Sequence, residues 1–227
     1  MGREGLSRAF VEGAKAPTDF YMSPSIKVFT GGVFETHCYY LPDSKLLVDA
    51  PEGAIDWLDS RGYSVSGLLL THGHIDHVWD AARIQREQGC PVYYHPETTV
   101  MIQNRNFFRQ FGMPWEVDPV APGVEVEERR DWRVEGVEFQ VLYVPGHCPG
   151  SLCFLDESAG VLFGGDVLFR GGVGRWDLPG GDRDLLLAGI RTKLMVLPDE
   201  VKVLPGHGPV TTIGLERSEN PYVVGEL

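Results

Sequence analysis

The sequence predicts an α/β fold in which two mixed sheets lie face to face with helices outside. Three observations carry that prediction. The chain has 227 residues, 43% of them hydrophobic, so it can bury one sizeable core. Its elements run in the order hairpins, alternating helix and strand, hairpins again, then helix and strand. Two stacked sheets with helices on their outer faces use that order.

Residues 1–24 read as a leader and residues 25–227 as a single domain. Extended runs at Ile26–Phe34, His37–Leu41 and Lys45–Val48 are separated by Gly31-Gly32 and Pro42-Asp43-Ser44, the turn chemistry of antiparallel hairpins. Glu52–Arg61 has Ile55 and Leu58 on one helical face and Gly62 as its stop. Val65–Thr71 is a buried strand, Asp76–Gln88 a helix ended by Gly89, and Val92–His95 a strand. Over residues 96–120, Met101, Ile102, Phe107, Phe108, Phe111 and Met113 have a loose helical spacing that Pro114 and Pro119 interrupt. Strands follow at Asp131–Val134, Val137–Val144, Ser151–Leu155 and Val161–Gly164. Asp182 caps a helix to Leu197 with Leu186, Ile190 and Leu194 on one face, and Val201–Leu204 is the last strand before a short tail.

Charge and cysteine usage exclude several functions. The net charge is -12, and no basic arm is present, a poor fit to a nucleic-acid binder. Bound cations would neutralise part of that charge. Cys38, Cys90, Cys148 and Cys153 form no C-x-x-C pair and read as buried residues in a reducing compartment. Cys148, although next to His147, is not read as a nucleophile. No secretory segment and no membrane-length apolar run are seen, so the cytoplasm is the expected location, with no membrane partner.

The chemistry concentrates in His72-Gly73-His74-Ile75-Asp76-His77, immediately after the strand Leu68-Leu69-Leu70. Imidazole and carboxylate together suit zinc, iron or manganese. In extended chain His72 and His74 project to one side. Asp76 and His77, at the start of the next helix, point elsewhere. One loop can thus serve two neighbouring ions, each still short of the three ligands a stable site needs. Three further positions repeat a pattern of apolar strand, glycine turn and ligand: His147 after Pro145-Gly146, Asp166 after Gly164-Gly165, and His207 after Pro205-Gly206. His37 and His95 lack that context and read as structural or surface residues.

With those residues in place, the chain resembles the metallo-β-lactamase superfamily from Ile26 to Gly208, and within it the glyoxalase II-like (hydroxyacylglutathione hydrolase) branch. The segments Gly174–Asp182 and Thr212–Arg217 look like its short bacterial members. The resemblance implies a four-layer αββα sandwich with two divalent metal ions, zinc foremost and iron or manganese as alternatives. It assigns His72, His74 and His147 to the first ion, Asp76, His77 and His207 to the second, and Asp166 to both. It implies a thioesterase acting on an S-acylglutathione such as S-lactoylglutathione, with Asp76 and Asp166 holding the attacking hydroxide. Asp166 and His77 stand where lactamases proper often carry Cys or Arg, and His74 where flavodiiron proteins carry Glu; both departures disfavour those readings. The C-terminal helical domain through which full-length glyoxalase II contacts glutathione is not expected here. Tyr143, Arg170 and Arg175 are candidate substrate anchors, and Asp49 a candidate acceptor for a ligand histidine. Phe107, Phe108 and Phe111 read as core or as pocket wall. The alternatives are a persulfide dioxygenase holding one iron through His72, His147 and Asp166 and a metallo-hydrolase of another ester or thioester. With all seven ligand positions filled, a catalytically dead binding module is disfavoured.

Overall fold

A computed structural model describes residues 26–112 and 114–225; the leader expected over residues 1–24, and Met113, lie outside them. The first half of the chain builds one sheet. β1 (Lys27–Gly31), β2 (Thr36–Leu41) and β3 (Leu46–Val48) are antiparallel neighbours. Helix α1 (Ala54–Arg61) crosses over to β4 (Gly67–Leu69), parallel to β3. Helices α2 (Ile75–Val78) and α3 (Ala81–Gln88) lead to β5 (Val92–Tyr94), and α4 (Thr99–Ile102) precedes a short parallel edge strand, β6 (Val124–Glu125).

The second half builds the other sheet. β7 (Arg129–Val134), β8 (Val137–Tyr143), β9 (Leu152–Asp156) and β10 (Val161–Gly165) form an antiparallel meander. A ribbon, β11 (Leu168–Phe169) with β12 (Gly172–Val173), leaves the sheet before helix α5 (Arg183–Gly189). β13 (Lys202–Pro205) returns parallel to β10, β14 (Thr211–Thr212) pairs with β13, and α6 (Ile213–Glu219) and α7 (Pro221–Val224) follow.

Period-two alternation sorts each strand between two cores. Leu46, Val48 and Leu69 face the second sheet and meet Phe139, Val141, Phe154 and Phe163. Their neighbours Leu47, Leu68 and Leu70 face outward onto Ile55 and Leu58 of α1 and Ile84 of α3. On the second sheet Leu142, Cys153, Leu162 and Val203 face outward onto Leu186, Ile190 and Leu194. Strands buried on both faces read as continuous apolar runs, which explains Leu68-Leu69-Leu70. The four-layer sandwich is therefore present: helices, sheet, sheet, helices.

Three local differences from the sequence reading matter. The helix expected over Asp76–Gln88 is two helices, broken at Trp79-Asp80. The break arises because the backbone there is tied to the end of β3: Ala50 N–H donates to His77 O, and Asp80 N–H donates to Ala50 O. The Asp80 carboxylate in turn accepts the Ile55 N–H at the start of α1. The helix expected over Asp182–Leu197 is α-helical only to Gly189 and continues as a π turn over Ile190–Leu194. The tail from Thr211 carries β14, α6 and α7.

Candidate metal centre

The seven expected ligands come together at one edge of the two sheets. His72 and His74 follow β4, Asp76 and His77 lie in α2, His147 follows β8, Asp166 follows β10, and His207 follows β13. His77 is fully buried, and His72, His147 and Asp166 are 1%, 3% and 9% exposed. The glycine turns do what the sequence suggested, by two routes. Gly146 and Gly165 take positive φ (122° and 48°), which makes the sharp turn. Gly206 has no such φ, but a Cβ there would collide with the Asp166 carboxylate and the His77 ring, so it allows close approach.

The donor atoms form two end pockets, linked by a third close group of His72, His77 and Asp166. In the first, His74 Nδ1 stands 3.1 Å from His72 Nε2 and 2.8 Å from His147 Nε2, and the last two are 3.3 Å apart. Ligand nitrogens on one tetrahedral zinc stand roughly 3.3 Å apart. In the second, Asp76 Oδ2 is 3.5 Å from His77 Nε2 and 3.1 Å from His207 Nε2. Asp166 stands between the pockets: Oδ2 is 3.6 Å from His147 Nε2 and 3.4 Å from His207 Nε2, and Oδ1 is 3.2 Å from His77 Nε2.

The donor chemistry fits cations. Among the described residues, His77 Nε2 and Asp166 Oδ1 are buried polar atoms with no hydrogen-bond partner, although they are close neighbours. Such atoms are left unsatisfied unless a metal cation or a shared proton sits between them. The rings are also held from behind so that their free nitrogens point inward. His77 Nδ1–H donates to Asp49 Oδ2 (2.8 Å), His147 Nδ1–H to Arg175 O (2.7 Å), and His207 Nδ1–H to Phe34 O (3.0 Å). Thr71 donates its hydroxyl to Asp49 Oδ2 and its N–H to Asp49 Oδ1, and the same hydroxyl oxygen lies 3.0 Å from His72 Nδ1. Asp49 is thus a hub behind the ligands, held with a left-handed φ of 61°. Thr36 Oγ1–H donates to Asp76 Oδ2. Thr71, Thr36 and the carbonyls of Phe34 and Arg175 had no signal in the sequence, since a threonine or a main-chain carbonyl carries no motif.

Electrostatics differ between the pockets. Burial and the neighbouring imidazoles hold His72 well below its usual range, and burial with His147 alongside lowers His74 to about 3. Burial also lowers His147. Burial opposes charge on His77 as well, but the carboxylates of Asp166, Asp76 and Asp49 outweigh it and raise the group well above its usual range. His207 is raised to about 10, burial being outweighed by hydrogen bonds to Asp166 and Asp76. Burial by itself would raise Asp76 and Asp166; His77 and His207 hold both below the usual carboxylate range.

The centre opens into a cavity of about 710 Å³ walled by Phe34, Phe108, Trp115, Phe169, Val173 and Leu178, with Arg175 at its side. Of the expected substrate anchors, the structure brings Arg175 to this cavity and leaves two out. Arg170 is exposed on the ribbon turn. Tyr143 donates its hydroxyl to Glu97 and stacks on His95 at 4.3 Å. Phe108 is buried and lines the cavity, whereas Phe111 is 43% exposed. His37 and His95 do structural work: His37 lies 2.9 Å from Gly208 O behind the His207 turn, and the His95 side chain accepts the Glu97 N–H. All four cysteines are free and buried; Cys148 Sγ contacts Met101 Sδ, and burial raises its thiol to about 12, so it is no nucleophile. No helix among the described residues is long and apolar enough to cross a membrane.

Comparison with known proteins agrees with this geometry. Residues 31–207 match the metallo-beta-lactamase superfamily. Hydroxyacylglutathione hydrolase GloC of Haemophilus influenzae is 32% identical over 88% of this chain and 98% of its own length. Two solved structures are similar over most of both chains. BLEG-1, described as a B3 metallo-beta-lactamase, superposes with a TM-score of 0.80 at 33% identity, covering 88% of this chain and 100% of its own. TTHA1623, described in a di-iron-bound form, gives 0.76 at 37% identity, covering 86% and 99%. The chain belongs to the metallo-beta-lactamase superfamily.

Proposed function

We propose that this chain is a two-metal thioesterase of the glyoxalase II type, cleaving an S-acylglutathione (R–CO–S–R′ + H₂O → R–COOH + R′–SH). The observation that carries the reading is the position of Asp166 between two three-ligand pockets. Likeness to GloC supports the thioester, and likeness to the di-iron form of TTHA1623 supports the pair of ions. His72, His74 and His147 would hold one ion, Asp76, His77 and His207 the other, with Asp166 shared; zinc suits the donors best, and iron or manganese are alternatives. Such ions supply Lewis-acid polarisation of the substrate carbonyl and of a water at neutral pH.

The residues of the chain do the rest. Asp166 Oδ2, set between His147 and His207, accepts a hydrogen bond from the attacking water and holds it in place. Asp76, fixed by the Thr36 hydroxyl, orients that water from the other side. Asp49 keeps His77 in one tautomer, so its Nε2 faces the centre. No strong general acid is needed, because a thiol leaves readily as thiolate.

Metal analysis of the purified protein, paired with an S-lactoylglutathione assay, tests the reading. Two ions per chain with thioester cleavage support it. One iron per chain with oxygen uptake on glutathione persulfide would replace it with a dioxygenase, and faster turnover of a β-lactam than of any thioester with a lactamase.

A further inference from the structure

We propose that the thioester selected by this centre carries a large apolar group, aromatic or branched, on its acyl side, and that this group rather than the charges of glutathione sets specificity. The proposal rests on the thioesterase reading above and adds the substrate's shape and polarity.

One wall of the cavity is the ligand cluster; the facing walls are apolar. Three separate elements bring aromatic rings there. Phe34 comes from the β1–β2 turn, Trp115 from the segment after α4, and Phe169 from the β11–β12 ribbon. Phe34 and Trp115 meet edge to face at 5.4 Å, and Phe169 lies 6.3 Å from the His207 ring. Phe34 keeps 44% of its surface exposed, so its ring stands at the cavity instead of in the core. A wall of this kind gains by covering an apolar ligand surface.

The ribbon that carries Phe169 is held from behind. Glu216, 1% exposed, accepts the Gly171 N–H at 2.8 Å, and Asn220, whose amide donates to Glu216, also donates to Gly172 O at 3.0 Å. Part of the Thr212–Arg217 segment therefore has a function at the cavity: it keeps one aromatic wall in place.

Charge argues the same way. A glutathione moiety carries two carboxylates, each in want of a cationic partner. Among the described residues lining the cavity, Arg175 is the one lysine or arginine, and Asp177 engages it through two contacts of 2.8 and 2.7 Å. With no second cation among those described lining residues to receive it, the thiol portion points away to solvent, and the acyl group occupies the apolar space. A three-carbon hydroxyacyl such as lactoyl leaves most of about 710 Å³ unfilled.

Two measurements on the metal-loaded protein test this. In the first, kcat/KM is compared for the phenylacetyl and lactoyl thioesters of glutathione, and for phenylacetyl thioesters of glutathione and N-acetylcysteamine. A preference of at least about tenfold for phenylacetyl, and at most about threefold loss on removing the glutathione charges, are expected. A lactoyl preference, or a tenfold loss on removing those charges, overturns the proposal. The second needs no turnover: phenylacetate and lactate are titrated against tryptophan fluorescence, with Trp115→Phe identifying the signal. Phenylacetate binding at least about tenfold tighter than lactate is expected; equal or reversed affinities overturn the proposal. If no thioester is cleaved, the thioesterase reading fails, and the titration alone decides the apolar pocket.

Discussion

The two halves of the metal centre are built from similar side chains but behave oppositely. His72, His74 and His147 form a pocket of three imidazoles that burial and mutual repulsion keep free of protons. Asp76, His77 and His207 sit among carboxylates, which hold protons on both imidazoles when no ion is there. The first pocket is ready for a cation; the second must give up protons to receive one. The difference comes from what stands beside each ring rather than from the ligands themselves. Asp166 touches both pockets, so it is where they are coupled.

That coupling makes Asp166→Ala the most damaging single change. Hydrolysis is expected to fall on the order of a thousandfold or more, and bound metal to drop in both pockets; a variant that kept two ions and full activity would break the scheme. The next contrast separates the halves. His74→Ala is expected to empty the first pocket and His207→Ala the second, each leaving about one ion per chain by elemental analysis. Loss of both ions from either variant would mean that the pockets do not fill independently. Asp49→Ala is expected to weaken metal binding by about 10–100-fold. The second pocket takes most of that loss, because Asp49 orients His77 directly and reaches His72 only through Thr71.

The gentlest probe is pH. His207, raised to about 10, and His77, raised well above its usual range, are protonated at neutral pH in the metal-free protein and must be neutral to bind a cation. Affinity of the second pocket therefore rises with pH, up to about tenfold per unit for each proton displaced, until the pH passes His207's value of about 10. His74, lowered to about 3, is already neutral far below pH 7, so affinity of the first pocket stays nearly flat across neutral pH. Calorimetric titration in buffers of different ionisation enthalpy reads this directly: one ion binds with proton release and one without. Equal proton release for both ions would refute the contrast.

The site was more legible in the sequence than the fold's finer elements. Four ligands fall within six residues, and the other three each follow an apolar strand and a glycine, so local spacing alone marks them. Local spacing fails where a distant partner decides. The helix over Asp76–Gln88 keeps its periodicity in sequence but breaks at Trp79-Asp80, because Ala50 claims backbone groups on both sides. The strands β6, β11 and β12 are two residues each, too short for any alternation to register. Of the expected anchors Tyr143, Arg170 and Arg175, only Arg175 lines the cavity, since side-chain direction depends on the turn beneath it.

The sequence by itself marked the candidate ligand set, the strand ends that carry it and the α/β class, because each depends on residues a few positions apart. Only the tertiary structure decided how those ligands divide into a proton-free and a proton-holding pocket. It also decided that Asp49 reaches His77 across 28 residues, and that Phe34, Trp115 and Phe169 meet around one cavity. Protonation and cavity shape depend on distances between segments remote in sequence, and those distances exist only once the two sheets have closed on each other.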